Sequence, residues 1–124
     1  MKILTLIIKQ CYFDEIIAGK KTEEYREVKP TTASKYIYYV DEHGNEYKPS
    51  ALPSEDVPLE LKLIEYDAIQ FYVGYNADRD SALVEVDDAV IDIYEEEVYE
   101  YKGEEYLLSV VTYKLGKILE VKKK

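Results

Sequence analysis

Residues 1–28, MKILTLIIKQCYFDEIIAGKKTEEYREV, read as a strand, a helix and a second strand in succession. Met1 to Ile8 is a short apolar run rich in Ile and Leu, the composition of a buried strand. From Gln10 to Ala18, Tyr12, Phe13, Ile16 and Ile17 recur at three- and four-residue spacing, which makes one stripe of a helix apolar. Cys11 lies beside those positions and reads as a small buried hydrophobe. Gly19 follows, the residue type that ends helices because it adopts positive φ without steric cost. Lys20 and Lys21 then sit where the helix dipole favours cations. Lys21 to Val28 reads as a strand. Its alternation puts Thr22, Glu24, Arg26 and Val28 on one face, and Glu23, Tyr25 and Glu27 on the other. Pro30 ends it.

The rest of the chain is mostly β in pattern. Thr31 to Lys35 predicts a short helix capped by Thr31 or Thr32. Tyr36 to Lys48 predicts a hairpin turning at His43-Gly44-Asn45. Pro49 to Pro58 holds three of the four prolines and reads as an exposed loop. Asp67 to Tyr75 (DAIQFYVGY) is a strand, and Gly74 to Asp80 a loop. Ser81 to Ile93 is a long strand with a bend expected near Asp87-Asp88. Glu96 to Tyr101 and Glu105 to Tyr113 flank Lys102-Gly103, the strongest hairpin signal in the chain. Leu115 to Val121 closes the series, and Lys122 to Lys124 reads as a frayed tail. The pattern predicts an α+β fold in one domain over residues 1–124: a small β-barrel of five or six strands with one or two short helices.

Composition narrows the function. Sixteen Lys and Arg against 26 Asp and Glu give a net charge of −10. That argues against coating nucleic acid by bulk electrostatics, which needs many phosphate-neutralising side chains. The charge is uneven, however: residues 1–40 carry +2 and residues 41–124 carry −12. A single Cys excludes an intramolecular disulfide framework. One His and no ligand pair at metal spacing leave metal chemistry without a basis, and no cofactor is implied. The Gly residues are isolated, so there is no phosphate-cradling Gly-rich loop. No apolar run approaches a membrane span or a signal peptide's apolar core, so a cytoplasmic protein without membrane contact is expected.

Two features carry chemistry. The first is tyrosine: fourteen Tyr against two Phe and no Trp. Tyrosine packs well on strands, but it also stacks on bases. Tyr72 and Tyr75 are the candidates, because they adjoin a polar loop with Asn76 and Arg79. The second is Gly19 to Arg26, GKKTEEYR. It sets two lysines at a helix–strand junction, followed by a hydroxyl, a carboxylate and a guanidinium on one strand face. A surface strand laced with ion pairs would show the same residues.

Ile16 to Arg26, IIAGKKTEEYR, resembles the signature of the ASCH domain family, part of the PUA-like superfold. Gly19, Lys21, Thr22, Glu24 and Arg26 match its five fixed positions. Tyr66 to Tyr75 and Tyr113 to Leu119 look like later strands of that family. The resemblance implies a PUA-like barrel and binding of RNA or nucleotides in a cleft lined by the motif. Some small relatives are amidohydrolases acting on N4-acetylcytidine, and others are reported as ribonucleases. The catalytic Lys of the amidohydrolases falls on Lys21, and their catalytic Thr on the position that is Glu24 here.

Three functions are therefore expected in turn. The first is a binding module in which Lys20, Lys21, Thr22, Glu24, Arg26, Tyr72, Tyr75 and Arg79 hold RNA, a nucleotide or a modified nucleoside. The second is a small hydrolase with Lys21 and Glu24 as its catalytic acid/base pair, which requires that burial favour the neutral lysine. The third is a protein–protein module, with self-association through the acidic, Tyr-rich hairpin at Glu95 to Tyr106.

Overall fold

The computed structural model describes residues 1–124. The elements follow as β1 (Ile3–Ile8), α1 (Gln10–Ile17), β2 (Glu23–Glu27), a 3-10 turn (Ala33–Lys35), β3 (Ile37–Asp41), β4 (Glu46–Tyr47), β5 (Leu59–Leu63), β6 (Ala68–Val73), β7 (Ser81–Tyr101) and β8 (Glu104–Lys122). Strands hold 56% of the residues and helix 9%, so the expected α+β character is met. The strands form a five-stranded sheet, β1-β6-β7-β8-β2, and a three-stranded sheet, β4-β3-β5. Neither order returns to its first strand, so the ladders do not close into the barrel that the turn spacing suggested.

Differences from the sequence reading lie mainly in strand length. Eight strands form rather than five or six, because Leu59 to Leu63 adds β5 beside β3 and the hairpin yields the two-residue β4. The expected breaks between Ile93 and Glu96 and at Lys114 do not occur. β7 and β8 are neighbours in one sheet, and such partners satisfy each other's backbone groups along their length. A Cβ at Gly116 would fall on the Asp87 carboxylate, so the glycine lets β8 pass this acidic side chain. The hairpin tip is as expected: Lys102 and Gly103 both have positive φ, the two-residue turn that matches strand twist. The tail is not frayed, since β8 runs to Lys122 and the Lys124 backbone N–H donates to Asp80 Oδ1 at 2.9 Å.

The chain divides into two compact units. The first comprises residues 1–24, 65–89 and 112–124; the second comprises 25–64 and 90–111.

In the first unit, β1 and β6 run parallel, with Leu6 opposite Phe71 and Ile8 opposite Val73. The connection between them is long, as a parallel pair requires. β6 then pairs antiparallel with β7, with Phe71 opposite Ala82 and Tyr72 opposite Ser81. The core holds Leu4, Leu6, Ile8, Phe13, Ile16, Ile69, Phe71, Val84, Tyr113 and Leu115. Of the four positions of the α1 stripe, Phe13 and Ile16 are buried, Ile17 is half-buried and Tyr12 is exposed, its ring beneath the Lys21 ammonium. Cys11, against expectation, is exposed: at two residues before Phe13 it lies off the apolar stripe.

In the second unit, Val28, Ala33, Tyr36, Ile37 and Val111 are buried. The predicted turn after β3 is organised by one side chain. Asp41 accepts from the backbone N–H of His43 (2.9 Å) and Asn45 (2.9 Å), from Asn45 Nδ2 (3.0 Å) and from the Tyr47 hydroxyl (3.0 Å). Hydrogen bonding to Asn45 is the largest cause that lowers its carboxyl to about 2 from the ordinary 3.8. A depressed folded-state value contributes stability that is full above the unfolded value and is lost as pH falls through the folded one. Asp41→Asn is therefore expected to be less stable than wild type at neutral pH. The gap should shrink as pH falls from about 4 to about 2. Denaturant unfolding of both proteins across that range checks it; a constant gap would show that the carboxylate charge is immaterial.

Candidate functional site

A candidate site in the first unit forms where β6 gives way to β7. Alternation along β6 sends Phe71 to the core and leaves Gln70 and Tyr72 facing the other way. Their register partners Leu83 and Ser81 stand on the same face. Gly74 ends the strand with φ of 68°, and the Val73 backbone N–H closes the loop onto the Asp80 carbonyl at 3.0 Å. The loop returns Arg79 to the strand it left. Its guanidinium carbon lies 4.0 Å from the Tyr72 ring centroid, and Nη1 donates to the Gly74 carbonyl at 2.9 Å. A planar cation stacked on an aromatic face is attracted by the ring quadrupole.

These residues line a cavity of about 370 Å³. Gln70, Tyr72, Asn76, Arg79 and Ser81 contribute to its wall, and Tyr75, 86% exposed, stands at it as an open ring face. β8 adds Glu120 and Lys122, which pair at 3.3 Å. Next to the cavity, Asp80 anchors the loop. Its Oδ2 accepts from Gln10 Nε2 (3.1 Å) and its Oδ1 from the Lys124 backbone. Those two bonds, the Lys124 one larger, hold its carboxyl below the usual range.

Tyr72, Tyr75 and Arg79, three of the candidates read from the sequence, thus meet in one cavity. The motif residues are elsewhere. Gly19, with φ of 75°, ends α1, and its backbone N–H bonds the Ile16 carbonyl. Both lysine backbones then bond the Glu15 carbonyl, Lys20 at 2.9 Å and Lys21 at 3.1 Å. The Lys21 ammonium lies over the Tyr12 ring, 5.4 Å from its centroid. Lys20 and Thr22 are exposed, and the Thr22 carbonyl accepts from Leu115 in a bond that ties the start of β2 to β8. Glu24 is buried at 6% exposure while its neighbours Glu23 and Tyr25 are exposed, the alternation the sequence predicted. Arg26, half-buried, belongs to the second unit. None of these six lines the Tyr72–Arg79 cavity.

Sequence reading missed the contributions of Gln70, Ser81, Glu120 and Lys122. The signals were present: Gln70 and Tyr72 share a face by alternation, and the pattern Leu119-Glu120-Val121-Lys122 continues a strand.

The second unit carries the other candidate surface. On the hairpin, the Tyr99 and Tyr106 rings meet across strands at a tilt of 31°, with centroids 6.0 Å apart. Val98 (53%) and Leu107 (42%) are exposed. A smaller hollow of about 270 Å³ is lined by Glu27, Lys29, Glu97, Val98, Tyr99 and Leu108.

Across the molecule, no group of three or more His, Cys, Asp or Glu residues lies together that could hold a metal ion. No helix is long and apolar enough to cross a membrane. Comparison with protein-family models, with curated proteins and with solved structures found no match.

Proposed function

We propose that this chain is an RNA- or nucleotide-binding protein of the ASCH type, built on a PUA-like arrangement of strands, with the Tyr72–Arg79 cavity as its base-binding site. The observation that carries the reading is the cavity itself: a guanidinium stacked on Tyr72, an exposed Tyr75, and amide and hydroxyl groups from Gln70, Asn76 and Ser81. Aromatic faces accept any base, and amides pair with base edges. The GxKTxExR motif supports the family assignment. Lys20, Lys21 and Thr22, at the end of α1, are proposed as a further contact for the sugar–phosphate backbone.

Binding is preferred to hydrolysis as the primary function. The cavity's lining is of stacking, amide and cationic type, whereas the acid/base pair of the hydrolase reading, Lys21 and Glu24, does not line it. The net charge of −10 favours a small or specific ligand over generic RNA.

An amide NMR titration at low salt, with short RNA and a nucleoside panel, tests the reading. Shifts centred on residues 72–81 are expected. Additional shifts over residues 20–22 would add the end of α1 as a second contact. Spectra unmoved by every probe would refute the proposal and turn attention to the hairpin around Val98 and Leu107 as a protein contact.

A further inference from the structure

We infer that the Tyr72–Arg79 cavity selects a nucleoside phosphomonoester, either a free mononucleotide or the phosphorylated end of an RNA strand, over an internal stretch of RNA. The inference rests on the nucleotide-binding reading above and specifies its ligand.

Charge carries the first part. Arg79 is held by the Tyr72 ring and the Gly74 carbonyl, and neither partner bears a charge. The second cation of the lining, Lys122, is paired with Glu120. Among the lining residues this leaves one guanidinium without an ion-pair partner, in a protein of net charge −10. One of the five guanidinium donors is committed to Gly74, which leaves others for a ligand. A planar fork of donors matches phosphate oxygens. A phosphomonoester carries about −1.5 to −2 at neutral pH, where a diester carries a single charge, so a lone arginine gains more from the monoester. Each further phosphate of a polymer meets the field of an acidic protein without a cation to neutralise it.

Shape carries the second part. The cavity, about 370 Å³, is at the small end of ligand pockets. The loop that forms it is closed at its base by the Val73–Asp80 bond and anchored through Asp80 to Gln10 and to Lys124. A site of this size takes one nucleotide unit, with Tyr75 available at its edge to cover the base.

The test is calorimetric titration at low salt of the full chain. The probes are the 5′- and 3′-monophosphates of the four common ribonucleosides, the nucleosides themselves, and a hexaribonucleotide with and without a 5′-phosphate. A monophosphate is expected to bind at least tenfold tighter than its nucleoside. Arg79→Ala should bring that ratio to near one, and Arg79→Lys, which keeps the charge and loses the fork, should leave it intermediate; the amide spectrum checks that each variant is folded. A free monophosphate that binds as tightly as the phosphorylated hexamer identifies a mononucleotide site. A hexamer that binds tighter, and only with its 5′-phosphate, identifies an RNA end. Equal binding of nucleoside and monophosphate would overturn the inference and leave the base-binding reading standing. So would equal binding of the hexamer with and without its phosphate, if both exceed the monophosphates. No binding by any probe would overturn both.

Discussion

Truncating Phe71 to alanine is expected to destabilise the protein by about 3–5 kcal/mol, the usual cost of emptying a buried Phe site. Phe71 is fully buried, and it stands in register with Leu6 on one neighbouring strand and Ala82 on the other. β6 lies between β1 and β7, so neither partner can close the void without breaking a ladder on its own side. Set against a total stability of roughly 5–15 kcal/mol for domains of this kind, the loss removes a large share. Denaturant unfolding of wild type and variant checks it. A loss under about 1.5 kcal/mol would mean that α1 and the facing strands collapse into the space. Phe71→Leu, which keeps most of the volume, is expected to recover more than half of the loss.

The neighbouring substitution, Tyr72→Ala, should do the opposite. Tyr72 is on the other face of the same strand, half-buried, and its ring carries Arg79 rather than the core. A base stacked on an aromatic ring contributes roughly 1–3 kcal/mol, so nucleotide affinity should fall about 5- to 150-fold. Removal of the ring also leaves Arg79 without the cation–π contact that positions it for a ligand. Stability should change far less than in Phe71→Ala. Tyr72→Phe keeps the ring face and should bind within a few-fold of wild type. A Tyr72→Ala protein that is folded and binds nucleotides with unchanged affinity would remove this ring from the site. The pair of variants separates two roles that adjoin in sequence and differ only in the direction in which the pleat points them.

The first 28 residues were the most legible part of the chain. Each element there is specified locally: an apolar run for β1, a three- and four-residue stripe for α1, and Gly19 at positive φ as its stop. The alternation that buried Glu24 between exposed Glu23 and Tyr25 was likewise readable. The hairpin at Lys102-Gly103 and the turn at His43-Gly44-Asn45 followed from turn chemistry, although the role of Asp41 as its acceptor did not. Readings failed where the partner decided the outcome. Residues 94–95 read as a gap between two strands, yet β7 runs unbroken through them beside its long partner β8. Leu59 to Leu63 alternates apolar and polar residues, a strand signal that the reading passed over, and it pairs along the whole of β3 as β5. Cys11 lies beside core positions in sequence but turns off the buried stripe.

The same division holds for the site. The residue types were legible: tyrosines beside a polar loop with an arginine, and a GKKTEEYR cluster after a helix. By itself the sequence determined the helix, its stop, the alternating strand faces and the tight turns, because each depends on interactions within a few residues. Only the tertiary structure decided which chemistry-bearing residues meet. Arg79 reaches back to Tyr72 because the 74–80 loop closes on itself, and Glu120 and Lys122 join them because the far end of β8 comes to the same face. The motif lysines, separated from that cavity by the length of α1, lie instead beside Tyr12 and the helix end. Contacts between residues forty or more positions apart depend on strand order and register, and no local preference encodes those.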